Sequence, residues 1–582
     1  MTRPAHVAET APVLLVGTAI TCLGALDGGY APTAWGWSAL VGLWSAVLVL
    51  ALRRRIAFTR AGSGLLVALL GFVGWKASGL LWTASVPRTM LELERDLVYV
   101  GTVAALLLIS RPAWRQPLLG GVVAGVVAVT AYGLGEYFLA TPGPDATQGY
   151  LLHRPVGYAN AMGALAALAL PLVLAGAAHA TGAALRSLAG AAVVPLTVAL
   201  YLSQSRIAWV ALAVGLVVWF ARTRAARGTA ALVLLPAGLA VAVVSGLDLL
   251  DARALAGDRE GRALAAAAVV LLVTIGAGWL VPATGRMRMR WRWPRVVRAA
   301  LLAVITLTAA AAVAISGLGD RGHYWRVAWT MAERQPVGGA GAGTFEPHWF
   351  ELREIERSVR DAHSLYLETL AELGTVGLVL LLIVLALPIV AVRARRDPLE
   401  IALLAGYSTY LVHAGFDWDW ELPVVTVAAL VLATLLVLPR EGETTIVLSP
   451  GARLAGGAGA LALVVFALVG LVGNSFVAAA ERQAVAGDHV AATATAARAA
   501  RFAPWTSQPW LVAASSFTRL GQPDAARAAS LEGLERDERE WRLWYGLGLV
   551  SSGEARQRAL LRAGELNPFL LGRAPSGSGR SR

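Results

Sequence analysis

Long apolar runs separated by short polar segments dominate the pattern of this chain. A helix needs about 20 mainly apolar residues to cross a bilayer, and most of the runs approach that length. The pattern therefore predicts an all-α, polytopic transmembrane helical bundle of about 12–15 spans. The predicted spans are residues 11–28, 34–51, 63–83, 97–110, 118–139, 157–178, 188–203, 207–221, 229–247, 263–281, 299–317, 372–392, 399–416, 423–439 and 454–474.

Composition agrees with this pattern. Hydrophobic residues make up 57 % of the chain and charged residues only 15 %, whereas a soluble domain carries about 25 % charged residues. The single cysteine, Cys22, excludes a disulfide within the chain and a cysteine-based metal site. A short polar stretch leads into the first apolar run without a convincing cleavage site, so we expect a retained first span rather than a signal peptide.

The formal net charge of +13 comes largely from arginine clusters between the apolar runs. Such clusters keep loops in the cytoplasm, so they are topology signals and do not indicate a nucleic-acid partner. An N-terminus on the cytoplasmic side places all of them inside. The clusters are Arg53–Arg55, Arg222–Arg227, Arg286–Arg298 and Arg393–Arg396.

One outward loop is long and polar, from about residue 319 to residue 368. Its first part predicts a helix with Arg321, Trp325 and Trp329 on one face, which Pro336 ends. The segment Gly338–Gly343 can bring its backbone close to a ligand. It is not a nucleotide loop, because no Gly-Lys-Ser/Thr follows it.

Residues 478–570 form a hydrophilic, alanine-rich region after the last span. Small and apolar residues recur there at helical spacing, in units close to the 34 residues of a helix-turn-helix repeat. The region predicts tetratricopeptide-like repeats, with a generic helical tail as the alternative. An odd number of spans places it outside the cytoplasm. Residues 1–477 then form the membrane domain, and residues 571–582 a disordered tail.

His363 stands where the long loop re-enters the membrane. A neutral imidazole there can take a proton from a hydroxyl near physiological pH. Asp361 or Glu368 could orient the ring. A capped helix start with a solvated histidine explains the spacing equally well.

Arg206 lies between two short spans at the outer boundary. Charge at membrane depth costs about 2.5–3.5 kcal/mol and usually has a partner or a task. A guanidinium fits the oxygens of an anionic lipid diphosphate, and the alternative is a snorkelling arginine. Arg154 and Asn160 stand at the outer start of the sixth span, where Asn160 either binds a sugar or packs against a helix.

The segment "HAGFDWDWELP" places acidic and aromatic residues at the outer rim. An interfacial aromatic belt explains it, and His413 with Asp417 is only a weak metal signal, so we expect no metal. Lys76, Glu92 and Arg95 are candidates for internal ion pairs.

Four motifs occur in a fixed order: "PVGYANAMGALAAL", "SQSRIAW", "RGHYWRVAW…QPVGGAGAGTF" and "DAHSLYLETLAELGTVGL". Together they resemble the O-antigen ligase and O-antigen polymerase family of bacterial membrane glycosyltransferases. The end of the chain is similar to actinobacterial members with tetratricopeptide-like repeats. The resemblance implies catalytic roles for Arg206, Arg321 and His363, two diphosphate clamps and a base. The family often has Asn after this histidine, where this chain has Ser364.

The resemblance also implies an activity. It predicts transfer of a glycan from a polyprenyl-diphosphate carrier to an acceptor hydroxyl, on the outer face of the cytoplasmic (inner) membrane, without metal or cofactor. The alternatives are a polymerase of lipid-linked repeat units, a membrane polysaccharide transporter or flippase, and a scaffold that uses its repeats. Expected partners are membrane lipid, a glycan, cell-wall or protein acceptor, and a protein bound by the repeats. Residues expected to bind substrate are Arg154, Asn160, Arg326, Asp361 and Glu368.

Overall fold

A computed structural model describes residues 4–140, 143–223, 227–250, 259–284, 319–392, 397–440 and 446–572 of the chain. This part contains 21 α-helices and one pair of two-residue strands. The helices before the long loop are α1 Pro4–Ala25, α2 Pro32–Leu52, α3 Arg60–Ser78, α4 Val86–Ile109, α5 Arg115–Gly135, α6 Ala159–His179, α7 Ala183–Leu202, α8 Arg206–Arg222, α9 Arg227–Gly246 and α10 Arg259–Thr284.

The remaining helices belong to the loop, to the last spans and to the C-terminal region. They are α11 Arg321–Arg334, α12 Phe345–Leu352, α13 Leu365–Val392, α14 Pro398–His413, α15 Pro423–Val437, α16 Pro450–Val485, α17 His489–Phe502, α18 Gln508–Arg519, α19 Pro523–Leu534, α20 Trp541–Leu549 and α21 Gly553–Leu566. The strands are β1 Arg55–Ile56 and β2 Ile446–Val447, which pair antiparallel.

The predicted all-α polytopic fold is confirmed. A helix covers each predicted span except the eleventh, residues 299–317, which lies outside the described residues. Eight helices of the described part are long and apolar enough to cross a membrane, and three shorter apolar helices accompany them. The arginine clusters Arg286–Arg298 and Arg393–Arg396 also lie outside the described residues.

Connections between helices gather at two opposite ends of the bundle, as alternating spans require. At one end, β1 pairs with β2, and buried Glu400 accepts hydrogen bonds from Arg115 and Arg440. At the other end, the Ala84 N–H donates to the Ala340 carbonyl, and the Leu152 N–H donates to the Leu202 carbonyl. The long loop lies at this second end, which we call the loop end.

Helices α6 and α15 form the centre of the bundle. In α6, 89 % of the apolar stretch is buried, and α15 is buried along its whole length. Small residues let neighbouring helices approach closely, as in many membrane bundles. A Cβ on Gly42 of α2 would stand 2.6 Å from the Gly101 backbone of α4. The central position of α6 and α15 matters because both begin at the loop end.

The C-terminal helices pack onto one another and onto the long loop. Helix α16 runs through the predicted domain boundary at residues 477 and 478. Buried alanines, among them Ala480, Ala496 and Ala513, form a separate small core. Buried Arg353 of the loop donates to the Asn567 side chain at 2.9 Å. The tetratricopeptide assignment stays a prediction, and residues 573–582 of the predicted tail lie outside the described residues.

Candidate active site

The long loop folds around its own apolar core. Tyr324 of α11, Phe345 and Trp349 of α12, and Ala362 are all buried there. Tyr324 meets Trp349 edge to face, with ring centroids 5.0 Å apart. The loop is therefore a structured platform, and this core fixes both the start of α11 and the segment that carries His363.

Asp417 is fully buried at the loop end, between α14 and α15. Its carboxylate accepts hydrogen bonds from Arg321 Nη2 at 2.9 Å, Asn160 Nδ2 at 2.6 Å, Tyr158 Oη at 2.9 Å and the Trp418 N–H at 2.9 Å. We call Tyr158, Asn160, Arg321 and Asp417 the Asp417 cluster. It joins the start of α6, the start of α11 and the segment before α15, which are far apart in sequence.

The charge of Asp417 is stabilised in place. Burial alone would raise the pKa of Asp417, but the Arg321 guanidinium, His363 and His413 together hold that pKa below its ordinary value. A buried carboxylate with several donors stays ionised. In return it fixes the direction of Arg321, whose Nε has no hydrogen-bond partner among the described residues.

His363 occupies a backbone conformation that is rare for residues other than glycine, with φ of 54°. Its Nδ1 lies 3.1 Å from the Asp361 carbonyl oxygen. A carbonyl only accepts, so Nδ1 carries the proton and Nε2 of the neutral ring is left as an acceptor. The ring packs against Tyr324, with centroids 4.9 Å apart. Non-glycine residues in this conformation cluster at functional sites, because the surrounding structure must hold them there.

Burial lowers the pKa of His363 below its ordinary value, with the nearby Arg321 charge acting in the same direction and Asp417 opposing it. The imidazole is consequently neutral at physiological pH and available as a base. Ser364 caps α13: its Oγ accepts from the Leu367 N–H at 3.4 Å. The serine therefore fixes the helix start behind His363.

Arg206 begins α8 at the same end of the bundle. Its side chain is exposed and has no hydrogen-bond or ion-pair partner in the part of the chain that the structure describes. Ser205 caps the helix, accepting from the Ala208 N–H at 3.3 Å. A Cβ on Gly163 would stand 2.6 Å from Ser203 Oγ and 2.9 Å from Ser205 Cβ. The turn of Arg206 thus lies against α6, one helical turn after Asn160.

Arg154 and Arg326 lie apart from the Asp417 cluster. Arg154 is exposed, pairs with Glu136 at 2.7 Å, and lines a separate cavity with Arg259. Arg326 is exposed on the outer side of α11 and pairs with Glu354. The structure brings Arg321, Asn160 and His363 together, and it places these two arginines elsewhere on the loop-end surface.

Asp361 and Glu368 point to the opposite side of the His363 segment. Asp361 contacts His363 only through its backbone carbonyl, while its side chain hydrogen-bonds Glu421. Glu368 accepts from the Ala362 N–H at 2.7 Å. Neither carboxylate has a hydrogen bond to the His363 ring in the described structure, so neither orients it directly, unlike the sequence expectation.

Both residues line a second polar region, a cavity of about 100 Å³ that we call the carboxylate cavity. Arg95 lines this cavity. Its Nη1 lies 2.9 Å from Glu421 Oε2, and its Nη2 lies 2.5 Å from Glu92 Oε2. Lys76 pairs with Glu92 at 3.6 Å, which confirms the predicted internal ion pairs. The lining residues are Tyr30, Pro32, Trp35, Arg88, Leu91, Glu92, Arg95, Gly343, Glu346, Arg360, Asp361, Glu368, Glu372 and Glu421.

Carboxyl groups in this cavity share their protons. Burial raises the pKa of Asp361 well above its ordinary value, with Glu421 adding to the rise. Burial alone would also raise the pKa of Glu421, but Arg95 brings it below its ordinary value. A protonated Asp361 therefore donates to an ionised Glu421.

Two groups of residues could be considered for a metal. Oxygens of Asp361, Glu368 and Glu421 lie within 4.8 Å of one another. The Arg95 guanidinium already contacts Glu421, which leaves little charge for a cation. The other pair does not converge, because His413 Nδ1 lies 3.1 Å from Asp419 and not on Asp417.

The glycine segment of the loop approaches the protein itself. The N–H groups of Gly343 and Phe345 both donate to the Glu372 carboxylate at 2.9 Å. Gly341 has φ of 105°, and a Cβ there would stand 2.0 Å from Thr83 Oγ1. The flexibility of glycine thus lets the loop seal against α13 and the segment before α4, while Gly343 also lines the carboxylate cavity.

Sequence reasoning missed Tyr158 and Asp417 as site residues. The sequence analysis noted Asp417 as a weak metal partner of His413 and as one of the acidic residues beside tryptophans at the outer rim. That pattern also fits an interfacial aromatic belt. Only the fold shows that the carboxylate is buried and faces α6 and α11.

Comparison with known proteins gives one match. Residues 191–382 match the family model described as O-Antigen ligase. The matched range contains Arg206, Arg321 and His363, and Asp417 and Asn160 lie outside it. No curated protein matches the chain.

Proposed function

We propose the following reaction for this multi-pass membrane protein, whose residues 191–382 match the O-antigen ligase family model. The chain transfers a glycan from a polyprenyl-diphosphate carrier to an acceptor hydroxyl, on the outer face of the cytoplasmic membrane. The observation that supports this best is that Arg321 and His363 lie close together. Buried Asp417 holds Arg321, and Nε2 of the neutral His363 ring is left as an acceptor.

In this reaction the acceptor oxygen forms a bond to the anomeric carbon of the donor sugar. The bond from that carbon to the diphosphate oxygen breaks, and the diphosphate leaves with the electron pair. His363 Nε2 takes the proton of the acceptor hydroxyl. Each bond made and broken is then accounted for without a metal or cofactor.

The arginines serve the leaving group. A lipid diphosphate carries about two negative charges, and fixed guanidinium groups stabilise charge that develops on it. Arg321 is already oriented by Asp417 and still exposes 28 % of its side chain. Arg206, exposed on the neighbouring turn, is the second clamp. Asn160, which donates to Asp417, positions Arg321 through that carboxylate.

Orientation follows from the arginine clusters, which place the opposite end of the bundle in the cytoplasm. The site and the C-terminal helices then both lie outside. The C-terminal helices α17–α21 are proposed to be tetratricopeptide-like repeats that bind a partner protein or the acceptor. Their contacts to the loop, from Asn567 to Arg353 and from Arg539 to Glu351, support a role next to the site.

A cell-free assay tests the proposal. The donor is lipid-linked glycan purified from cells that make the protein, and the acceptor is envelope polysaccharide from a strain that lacks it. We expect His363→Ala to lower transfer by about 100-fold or more, because general base catalysis contributes about 10²–10⁴-fold. His179→Ala, at the far end of α6, is the matched control. Transfer above a tenth of wild type in His363→Ala would overturn the assignment.

Ligase and polymerase use the same residues, and the glycans of a deletion strain separate them. Single repeat units left on lipid indicate a polymerase. Long chains left on lipid indicate a ligase.

A further inference from the structure

The carboxylate cavity lies on the other side of residues 360–364 from the Asp417 cluster, and the reaction as described does not use it. Asp361 lines the cavity with its side chain, while its backbone carbonyl contacts His363. The cavity is thus two residues away from the base along the chain.

The charge of the cavity disfavours a diphosphate. Six carboxyl groups line it, against three guanidinium groups, and all six are buried or belong to internal ion pairs. Each guanidinium group already has a partner within the protein, so none is left free to bind a diphosphate. The carboxyl groups are Glu92, Glu346, Asp361, Glu368, Glu372 and Glu421, and the guanidinium groups are Arg88, Arg95 and Arg360.

Two buried donors of the cavity lack partners. Trp35 is 5 % exposed and Arg95 2 % exposed, and both line the cavity. The indole N–H of Trp35 and the Nε–H of Arg95 have no hydrogen-bond partner among the described residues. Buried donors of this kind are normally satisfied, so each calls for an acceptor atom from a ligand or water.

Carboxylates need donors and these N–H groups need acceptors, and a hydroxyl group supplies both. A sugar carries several hydroxyl groups that both donate and accept, which fits a cavity lined by carboxyl groups and by unpartnered N–H groups. We propose that the carboxylate cavity binds a sugar residue of the acceptor glycan and directs its hydroxyl toward His363. The inference rests on the proposed transfer reaction and adds the acceptor subsite to it.

Kinetics of conservative variants test this subsite. Trp35→Phe keeps the ring and removes the N–H, and Glu346→Gln keeps the shape and removes the charge. Purified full-length protein is assayed with the lipid-linked donor and with envelope polysaccharide from a strain that lacks the protein. A net hydrogen bond contributes about 1 kcal/mol, so we expect the acceptor KM of each variant to rise about fivefold, with kcat and the donor KM within twofold.

Trp329→Phe and Glu333→Gln are the matched controls. Both positions are exposed on α11 of the same loop, and both controls should leave the acceptor KM unchanged. An unchanged acceptor KM in Trp35→Phe and Glu346→Gln, or a rise in the donor KM instead, overturns the subsite.

Direct binding separates failure of the subsite from failure of the proposed reaction. Titration of the same polysaccharide into wild-type protein should show binding that Trp35→Phe weakens about fivefold, as for one hydrogen bond. Binding without transfer would refute the reaction and keep the subsite. Transfer by the wild-type protein, together with unchanged binding in Trp35→Phe, would refute the subsite and keep the reaction. Binding that disappears with a chelator and returns with Ca²⁺ would show a cation site and refute a sugar subsite.

Discussion

The Asp417 cluster and the carboxylate cavity flank the same five residues, 360–364, yet their charges are arranged in opposite ways. In the cluster, one buried carboxylate gathers a guanidinium, an amide and a phenol. In the cavity, carboxyl groups outnumber guanidinium groups and share protons among themselves. The first arrangement leaves a directed cation for an anionic ligand, and the second leaves acceptors for a ligand rich in hydroxyl groups.

The backbone at His363 makes this division possible. Its φ of 54° turns the imidazole toward Arg321 and Asp417, while the Asp361 side chain two residues earlier reaches Glu421. Neighbouring residues of one short segment therefore face two regions of different chemistry, which we propose bind different ligands. Spacing in the sequence cannot show this, because it does not include the sign of φ.

After His363→Ala, the largest effect is expected from Asp417→Asn, which should lower transfer by about 100-fold. Removing one partner of a buried pair costs about 3–5 kcal/mol, and the partly exposed Arg321 places this pair at the lower end. Transfer and the thermal unfolding temperature are measured together. Asp397→Asn, a cap at the opposite end that asparagine can replace, is the control. Transfer within fivefold of wild type would contradict the role of Asp417 in orienting Arg321 for the donor.

Arg321→Lys should lower transfer by about tenfold, because lysine keeps the charge and loses the planar fork that meets both the carboxylate and the diphosphate. The loss should appear in the KM for the lipid-linked donor. Arg326→Lys on the same helix should stay within twofold, since exposed ion pairs contribute little. Equal losses in both variants would mean that Arg321 has no special place.

The pH profile of kcat/KM sharpens the role of His363. Burial lowers the pKa of its imidazole, so the acid limb of the profile should fall below pH 6.5, where the ring becomes protonated and stops acting as a base. Arg321→Gln removes a nearby positive charge. Because this removal favours the protonated ring, the acid limb should move to higher pH. Asp417→Asn should move it to lower pH. A limb that does not respond to either change would exclude His363 as the titrating base.

The smallest effect concerns the C-terminal side of the cavity. Asp537 of the C-terminal helices accepts from Ser85 Oγ at 2.7 Å and lies 4.0 Å from Arg88, which lines the cavity. Asp537→Asn should raise the acceptor KM by about two- to threefold, as for a weakened charged hydrogen bond. The exposed Asp524→Asn should change nothing. A change in the donor KM in place of the acceptor KM would contradict the division between the two regions.

Much of the fold follows from the sequence because spans are set by length and hydropathy. The largest differences from the predicted limits are at the start of α4, which is Val86 rather than residue 97, and at the end of α16, which is Val485 rather than residue 474. The charged first turns of α4 hid its start, since Glu92, Arg95 and Asp96 read as a loop. The structure buries them in ion pairs, which a hydropathy pattern cannot register.

The site was predictable only in part. Arg321, Arg206 and His363 were predicted from motif order and from their place at the outer boundary, and their catalytic roles stay predictions. Asp417 and Tyr158 could not be found, because their importance comes from contacts between α6, α11 and the segment before α15. Asp361 and Glu368 were chosen for nearness to His363 along the chain, and the fold directs their side chains elsewhere.

Helix α16 has a consequence for how far the C-terminal helices can reach. Its 36 residues correspond to about 54 Å, while the hydrocarbon layer is about 30 Å thick. The surplus extends beyond the hydrocarbon layer at the loop end, and a short turn at residues 486–488 joins it to α17. A partner bound by the C-terminal helices would therefore be held at a fixed distance from the candidate active site. Inserting a short glycine-rich linker near residue 485 would make that distance variable, and would show whether transfer needs a fixed distance or only proximity.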